Sequence, residues 1–475
     1  MNSTIADIGL IGVAVPILLV LVSVWVLFSS FFLPESKKYW AGLMSLIGLA
    51  GIIFYNFLSM DLRMTSFYGA VTINSFSQFL WILFLFIALI VMVISYDYIK
   101  AGNVLQGEYY FLLFIASAGL LFIVSTNDLM MLFISLEMLS ISVYILAGVR
   151  RSSTGAEAAF KYFLLGSFGA AMLIMGIALI YGATGSVNLK VMKIVMPNII
   201  QTPFLITGFL FVIAGFAFKV ALVPFHMWVP DVYEGSPTSV SAFMAAGVKA
   251  GGVIALLRVF NVLPSEIYTD LFWWLSVITM IAGNLMALPQ TNLKRLLAYS
   301  SVAHAGYILV GFLGADDGFS AVLFYLIVYS VATLGAFAII LGIEKTEKGA
   351  TIFDIAGLSK SQPVLAASLS VFVLSLAGIP PMAGFFGKFY LFSSAIKAGF
   401  TGLVVIAVMM SAVSLYYYLR IVVAMYMEDE QSSAFPATAS PLNITILVLM
   451  FAAVFLGFIS EPFLTMAKEA VKAIL

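Results

Sequence analysis

The sequence predicts an all-α polytopic membrane protein of about fourteen transmembrane helices, with two inverted five-helix repeats and discontinuous helices 7 and 12. Three observations carry that expectation. Of the 475 residues, 63% are hydrophobic and 9% charged, with a mean hydropathy of +1.13. A soluble domain of this length carries about 25% charged residues, so lipid is the natural solvent for this surface. The apolar residues fall in runs of roughly 20, which at 1.5 Å rise cross a hydrocarbon core of about 30 Å. Two of those runs contain prolines deep inside them.

Along the chain the spans are 8–32, 40–59, 76–95, 109–125, 128–148, 157–181, 203–229, 237–261, 270–288, 293–313, 319–343, 364–396, 400–427 and 441–462. No basic residue precedes the first run, which is longer than a secretory leader, so it reads as a retained first helix. No Arg-rich transit segment precedes it, which favours a bacterial or archaeal plasma membrane. The seventh span holds Lys219 through Pro224 and the twelfth holds Gly378-Ile379-Pro380-Pro381. Proline removes a backbone donor and clashes with the preceding turn, so both helices should break inside the membrane. Unwound backbone at that depth is tolerated only beside protein or a wet cavity.

The two breaks lie five helices apart, which suggests repeat units at 109–261 and 262–427, preceded by three helices (1–108) and followed by a last helix and tail (428–475). Five helices per unit forces the second to insert upside down, a recurring transporter plan. A faint echo supports the pairing: Tyr144-Ile145-Leu146-Ala147-Gly148 and Tyr307-Ile308-Leu309-Val310-Gly311.

The 22 basic and 22 acidic residues cancel, which removes an electrostatic case for nucleic-acid binding. With no Cys there are no disulfides, thiolate-held iron–sulfur clusters or Cys-type zinc sites, and two His are too few for a His-rich metal site. No Gly-x-Gly-x-x-Gly follows a strand and no Walker A motif occurs, so no nucleotide or redox cofactor is expected on this chain. Loops after odd-numbered helices hold Lys37, Lys38, Lys100, Arg150, Arg151, Lys294, Arg295, Lys345, Lys348 and Lys360. The other side holds Arg63, Lys190, Lys193, Lys397, Lys468 and Lys472. The excess places the odd loops in the cytoplasm and both termini outside.

Six basic residues lie within spans: Lys161, Lys219, Lys249, Arg258, Lys388 and Arg420. Glu137 is the acid near a helix centre, about 13 Å along helix 5. A charge there costs at least ~2.5–3.5 kcal/mol, so it marks function by default, against the plainer reading of an ion pair that orders packing. Burial disfavours the charged form of a lysine, which can then release a proton near neutral pH as arginine cannot. Lys219 precedes the helix-7 break, Lys249 sits mid-helix 8, and Lys388 follows the helix-12 break. Arg258 and Arg420, near span ends, read as snorkelling anchors. Glu157 and Lys161 suit an i,i+4 pair, either structural or a site of proton uptake. His226 in the break and His304 among small residues of helix 10 suit either a relay or a structural contact.

The run from Lys219 through Pro224, His226, Trp228 and Pro230 to Asp231-Val232-Tyr233-Glu234-Gly235-Ser236-Pro237-Thr238 resembles the signature of the antiporter-like membrane subunits of respiratory complex I and of multisubunit cation/proton antiporters. Glu137, Lys249 and the Gly-Ile-Pro-Pro stretch fit too, over at least 109–427. The Asp-Val-Tyr-Glu-Gly-Ser-Pro-Thr form, Lys388 in helix 12 and the end after helix 14 resemble the subunit-N branch of NADH:quinone oxidoreductase, similar to mitochondrial NADH dehydrogenase subunit 2. The resemblance implies a proton-translocating membrane-arm subunit of a translocase. It implies Glu137 and Lys219 as coupling pair, Lys249 as central lysine and Lys388 as exit lysine, with His226, His304, Glu157 and Lys161 as possible relays. It implies further that NADH, FMN, iron–sulfur clusters and quinone are bound by partner subunits. A subunit of a cation/proton antiporter without electron transfer, and a purely structural subunit, remain as alternatives.

Overall fold

In a computed structural model, residues 9–101, 104–196, 199, 202–263, 267–344, 349–429 and 440–474 are described. Lys345 and Lys348, counted above among the loop charges, lie outside them. Twelve helices among the described residues are long and apolar enough to cross a membrane. They are α1 Leu10–Phe32, α2 Trp40–Leu58, α3 Ser75–Lys100, α4 Gln106–Ser125, α5 Leu129–Ala147, α6 Ser153–Thr184, α7a Pro203–Val220, α8 Thr238–Phe260, α9 Thr269–Ala287, α11 Ala315–Ile343, α13 Thr401–Met427 and α14 Pro441–Phe458. The other two predicted spans correspond to α10, Leu293–Phe312, and to the pair α12a Pro363–Ala377 and α12b Ala383–Lys397.

Both predicted breaks are present and share a plan. α7a stops where Ala221 turns left-handed (φ 66), and after a short irregular stretch α7b runs Trp228–Gly235. α12a stops where Gly378 turns left-handed (φ 88), with α12b resuming at Ala383. Starts elsewhere are set by side-chain caps: Asp128 accepts from the amides of Met130 and Met131 at α5, and Asn292 from those of Lys294 and Arg295 at α10. Small residues let helices touch. A Cβ on Gly176 of α6 would stand 2.6 Å from the Gly208 carbonyl of α7a, so this seam admits nothing larger.

The layering fixes where polar chemistry can sit. α8 is wholly buried and α10 and α11 nearly so, whereas α1, α2, α6, α13 and α14 each turn a broad apolar face outward. Polar groups on α8, α10 and α11 therefore meet protein and not lipid. α8 contains a π-helical turn, Met244–Val248, between its first turns and Lys249. Such turns free backbone groups and recur at functional sites.

Several expectations need correction. The last span was expected over 441–462, but α14 ends at Phe458 and a separate amphipathic helix, Ser460–Lys472, folds back with Leu464, Ala467, Ala470 and Val471 buried. A hairpin pairing Met64–Ser66 with Val71–Ile73, and a short helix Leu189–Val195, lie in segments read as plain loops. Lys294 was counted as a loop charge, yet its side chain is 0% exposed in the first turn of α10. Arg258 is no snorkelling anchor. It is buried, donating to the Val124 carbonyl and, at 2.6 Å, to Asn127 Oδ1. Arg420 lies about two turns before the end of α13 and donates at 2.7 Å to the Leu288 carbonyl at the end of α9.

Candidate functional site

α5 and α7a bring Glu137 and Lys219 together. Lys219 Nζ lies 3.6 Å from Glu137 Oε1 and donates to Ser140 Oγ at 2.6 Å and Tyr144 Oη at 3.2 Å. Ser140 and Tyr144 stand three and seven residues after Glu137, so all three share one helix face. Glu137 Oε1 is buried with no hydrogen-bond partner among the described residues, which makes this a loose pair. Its two charges attract across a gap that no directed bond closes.

Lys249 follows the π-turn on α8 and is buried. Its ammonium meets the carbonyl and the hydroxyl of Ser301 on α10 and lies 5.8 Å from the Tyr329 ring centroid. One turn later, Gly252 faces the Lys219 Cβ: a Cβ added there would be 3.4 Å away. α8 thus crosses α7a between the two lysines. His304, one turn beyond Ser301, is buried with Tyr325 Oη on Nδ1 at 2.5 Å and Tyr418 Oη on Nε2 at 3.1 Å. Its ring packs against Tyr329 and Tyr307 at 5.1 and 5.7 Å. Lys388 lies 4.8 Å from the Tyr307 ring centroid and donates at 2.8 Å to both the Ala377 carbonyl and Ser411 Oγ. The Ala377 carbonyl is available because the α12 break removes its helical partner. At Gly378 a Cβ would stand 2.9 Å from Lys388 Cδ, so glycine both permits the turn and leaves room for the lysine to fold back over it.

Glu157 and Lys161 do pair, at 2.7 Å, but they belong to a larger cluster. Lys161 also meets Asp231 at 2.8 Å, and Arg295 bridges Asp231 at 2.7 Å to Glu234 at 2.8 Å, around a cleft of about 350 Å³. Burial alone would raise the Asp231 carboxyl; the hydrogen bonds and charges of Lys161 and Arg295 outweigh it and hold Asp231 below the ordinary aspartate value. Behind the cleft, fully buried Lys294 meets Glu344 at 3.5 Å and the Ser236 carbonyl at 3.1 Å, with Arg150 3.9 Å from the same carboxylate oxygen. Thr238 Oγ1 donates to the other oxygen.

His226 is not joined to this series. It is buried, and its Nδ1 has no hydrogen-bond partner among the described residues. The supporting hydroxyls (Ser140, Tyr144, Ser301, Tyr325, Tyr418, Ser411) and the second charge cluster were not singled out from sequence. Position relative to Glu137 marks the first two, and Tyr325 and Tyr329 sit one turn apart on α11. The others come from distant helices, and only packing joins them. Among the described residues no group of three His, Cys, Asp or Glu could hold a metal.

A helical bundle carrying protonatable side chains beside two broken helices defines an ion-translocating membrane protein of the antiporter-like class. The family model for the transmembrane domain of NADH:quinone oxidoreductase and Mrp antiporters matches residues 126–414. NADH-quinone oxidoreductase subunit N of Trichlorobacter lovleyi is 42% identical over 453 residues, 93% of each chain, and that of Chloroflexus aggregans 38% over 94% of each. A chain of respiratory complex I from Thermus thermophilus superposes with a TM-score of 0.83 at 35% identity, covering 95% of this chain and 98% of that one. The membrane-bound sulfane sulfur reductase (TM-score 0.90, 23% identity, 98% and 97% covered) and the Mrp complex of Dietzia (0.82, 21%, 96% and 97%) share the fold. The chain belongs to the NADH-quinone oxidoreductase subunit N family.

Proposed function

We propose that the chain is a proton-translocating membrane-arm subunit of NADH:quinone oxidoreductase in a bacterial inner membrane, driven by quinone reduction in other subunits. NADH, FMN, iron–sulfur clusters and quinone belong to those partners in this reading, and the peripheral arm is reached through neighbouring membrane subunits. Relatives 42% and 38% identical over almost the whole chain favour this over an antiporter working without electron transfer.

The observation that carries the mechanism is the loose Lys219–Glu137 pair, 3.6 Å apart with Oε1 unbonded. A displacement from the neighbouring subunit separates the two, and the buried ammonium left behind is disfavoured. Its proton passes toward Lys249, then along Ser301 and His304 with its tyrosine partners to Lys388. The cytoplasmic cluster of Glu157, Lys161, Asp231 and Arg295 supplies protons. Two inverted units, 109–261 and 262–427, organise the path. The sequence echo supports them: Tyr144 touches Lys219 beside one break, and Tyr307 touches Lys388 beside the other. The correspondence is not strict, since Lys219 precedes its break and Lys388 follows.

The test is Lys249→Met in the whole complex reconstituted into liposomes, with NADH:quinone turnover and quinone-linked acidification measured together. Acidification per turnover should fall with the complex assembled. Unchanged acidification per turnover would defeat the mechanism, and failed assembly with normal pumping in what assembles would favour a structural subunit.

A further inference from the structure

On the face opposite the Glu157–Arg295 cleft, a cavity of about 340 Å³ is bounded by Arg258, Lys190, Lys193, Asn127 and Ile194. No acidic side chain lines it among the described residues. Arg258 is 6% exposed; its two terminal nitrogens donate to the Val124 carbonyl and Asn127 Oδ1, but its Nε is buried without a partner. Its guanidinium also lies 5.7 Å from the Phe76 ring centroid. Held this deep by two neutral oxygens and a ring, with no counterion among the described residues, it is costly unless an anion completes its environment. The two lysines come from the short helix Leu189–Val195, on which Val191 and Ile194 are also exposed, at 43% and 76%. Cations beside outward apolar side chains suit a ligand whose charged end joins an acyl body. A neighbouring cavity of about 550 Å³ shares Lys193 and Asn261; Phe260, Tyr268, Phe312 and Phe400 give it an apolar wall, and Asp316 stands on its lining as well.

We infer that this pocket binds the phosphodiester headgroup of an anionic phospholipid, with Arg258 as its buried anchor and Lys190 and Lys193 at its rim. Planar guanidinium and phosphate oxygens match in geometry, and the rim lysines add charge attraction at the membrane surface. Bound there, the lipid ties the α8 end to the α4–α5 loop and to the segment after α6, away from the lysine series. The site does not depend on the direction or stoichiometry of proton movement.

The experiment uses the intact complex in nanodiscs containing either photoreactive phosphatidylglycerol or photoreactive phosphatidylcholine, with labelled peptides read by mass spectrometry. Residues 187–196 and 258–263 should be labelled by phosphatidylglycerol in preference to phosphatidylcholine. Lys190→Gln/Lys193→Gln, at two exposed positions, should reduce that preference at least about fivefold, the effect of one cation near an anionic headgroup. Equal labelling by the two lipids, or labelling unmoved by the double variant, overturns the inference. So does loss of labelling to inorganic phosphate alone, which would make free phosphate the ligand. Absence of labelling in the complete complex, as when a neighbouring subunit's carboxylate fills the pocket, overturns it too. Proton pumping by the double variant should stay normal, so this result and the failure of the pumping mechanism are distinguishable.

Discussion

Replacing Glu137 with Gln removes one charge and almost no volume, so it isolates the electrostatic part of the proposed coupling pair. At the observed 3.6 Å and an effective dielectric of about 20, the Lys219–Glu137 attraction is about 4–5 kcal/mol. Ser140 and Tyr144 stay in place in the variant, so Lys219 keeps its two hydroxyl partners and loses only the counterion. The lysine is then held permanently in the state that the proposed mechanism visits once per cycle, and the step that separates the pair has nothing left to release. Each 1.4 kcal/mol is a factor of ten, so proton pumping should drop at least tenfold. Glu137→Asp lengthens the gap by roughly one carbon–carbon bond, about 1.5 Å. It keeps about two-thirds of the attraction and should pump at an intermediate rate. Both variants are to be measured in proteoliposomes, with quinone-linked acidification and uncoupled turnover recorded on the same preparation. Wild-type acidification per turnover in assembled Glu137→Gln complex would refute the reasoning.

Tyr418→Phe takes the hydroxyl from His304 Nε2 and from Ser300 while leaving the ring, and should slow pumping about tenfold or more if His304 relays the proton, read as acidification rate in the same vesicles. Lys294→Met leaves the buried Glu344 carboxylate, among the described residues, with the 3.9 Å Arg150 contact and the Thr238 hydroxyl, and should destabilise by about 3 kcal/mol. The double variant Lys294→Met/Glu344→Gln should recover most of this in thermal denaturation of the solubilised complex; equal loss in both would argue against a charge effect. Gly378→Ala meets a left-handed φ of 88° and a Lys388 Cδ at 2.9 Å. It should cost about 1–2 kcal/mol of strain and impair pumping more than electron transfer.

The helices were legible because hydropathy reports solvent directly, and both breaks because proline and a following or preceding glycine act locally. Glu137, Lys219, Lys249 and Lys388 stood out because an ion in an apolar run has no bland local reason to be there. What the chain could not disclose is partnership at long separation. Ser140 reaches Lys219 across 79 positions, and Tyr418 reaches His304 across 114. Serine and tyrosine within apolar helices carry no local mark of which lysine or histidine they face. Arg258 and Lys294 were misjudged for one shared reason. Each lies near a span end, where snorkelling is the ordinary fate, but the helices that bear them are enclosed by others, so Lys294 is fully covered and Arg258 reaches no further than the floor of a pocket.

The contacts of the three lysines also bear on how a proton could rest at each. A carbonyl can only accept, whereas a serine or tyrosine hydroxyl can accept from an ammonium or turn to donate into the lone pair of an amine. Lys249 has one of each, both from Ser301. Lys388 has the same combination from two residues, the Ala377 carbonyl and the Ser411 hydroxyl. In both places the lysine keeps its hydrogen bonds in either protonation state, so holding or losing the proton leaves no buried group stranded. Lys219 differs: besides two hydroxyls it faces a carboxylate, which as an anion accepts hydrogen bonds and donates none. In the proposed mechanism, two sites that tolerate either state and one that faces a carboxylate make a sequence with a single switch: the energy delivered by the neighbouring subunit is needed at Glu137–Lys219, and the later transfers run on the proton that this step expels.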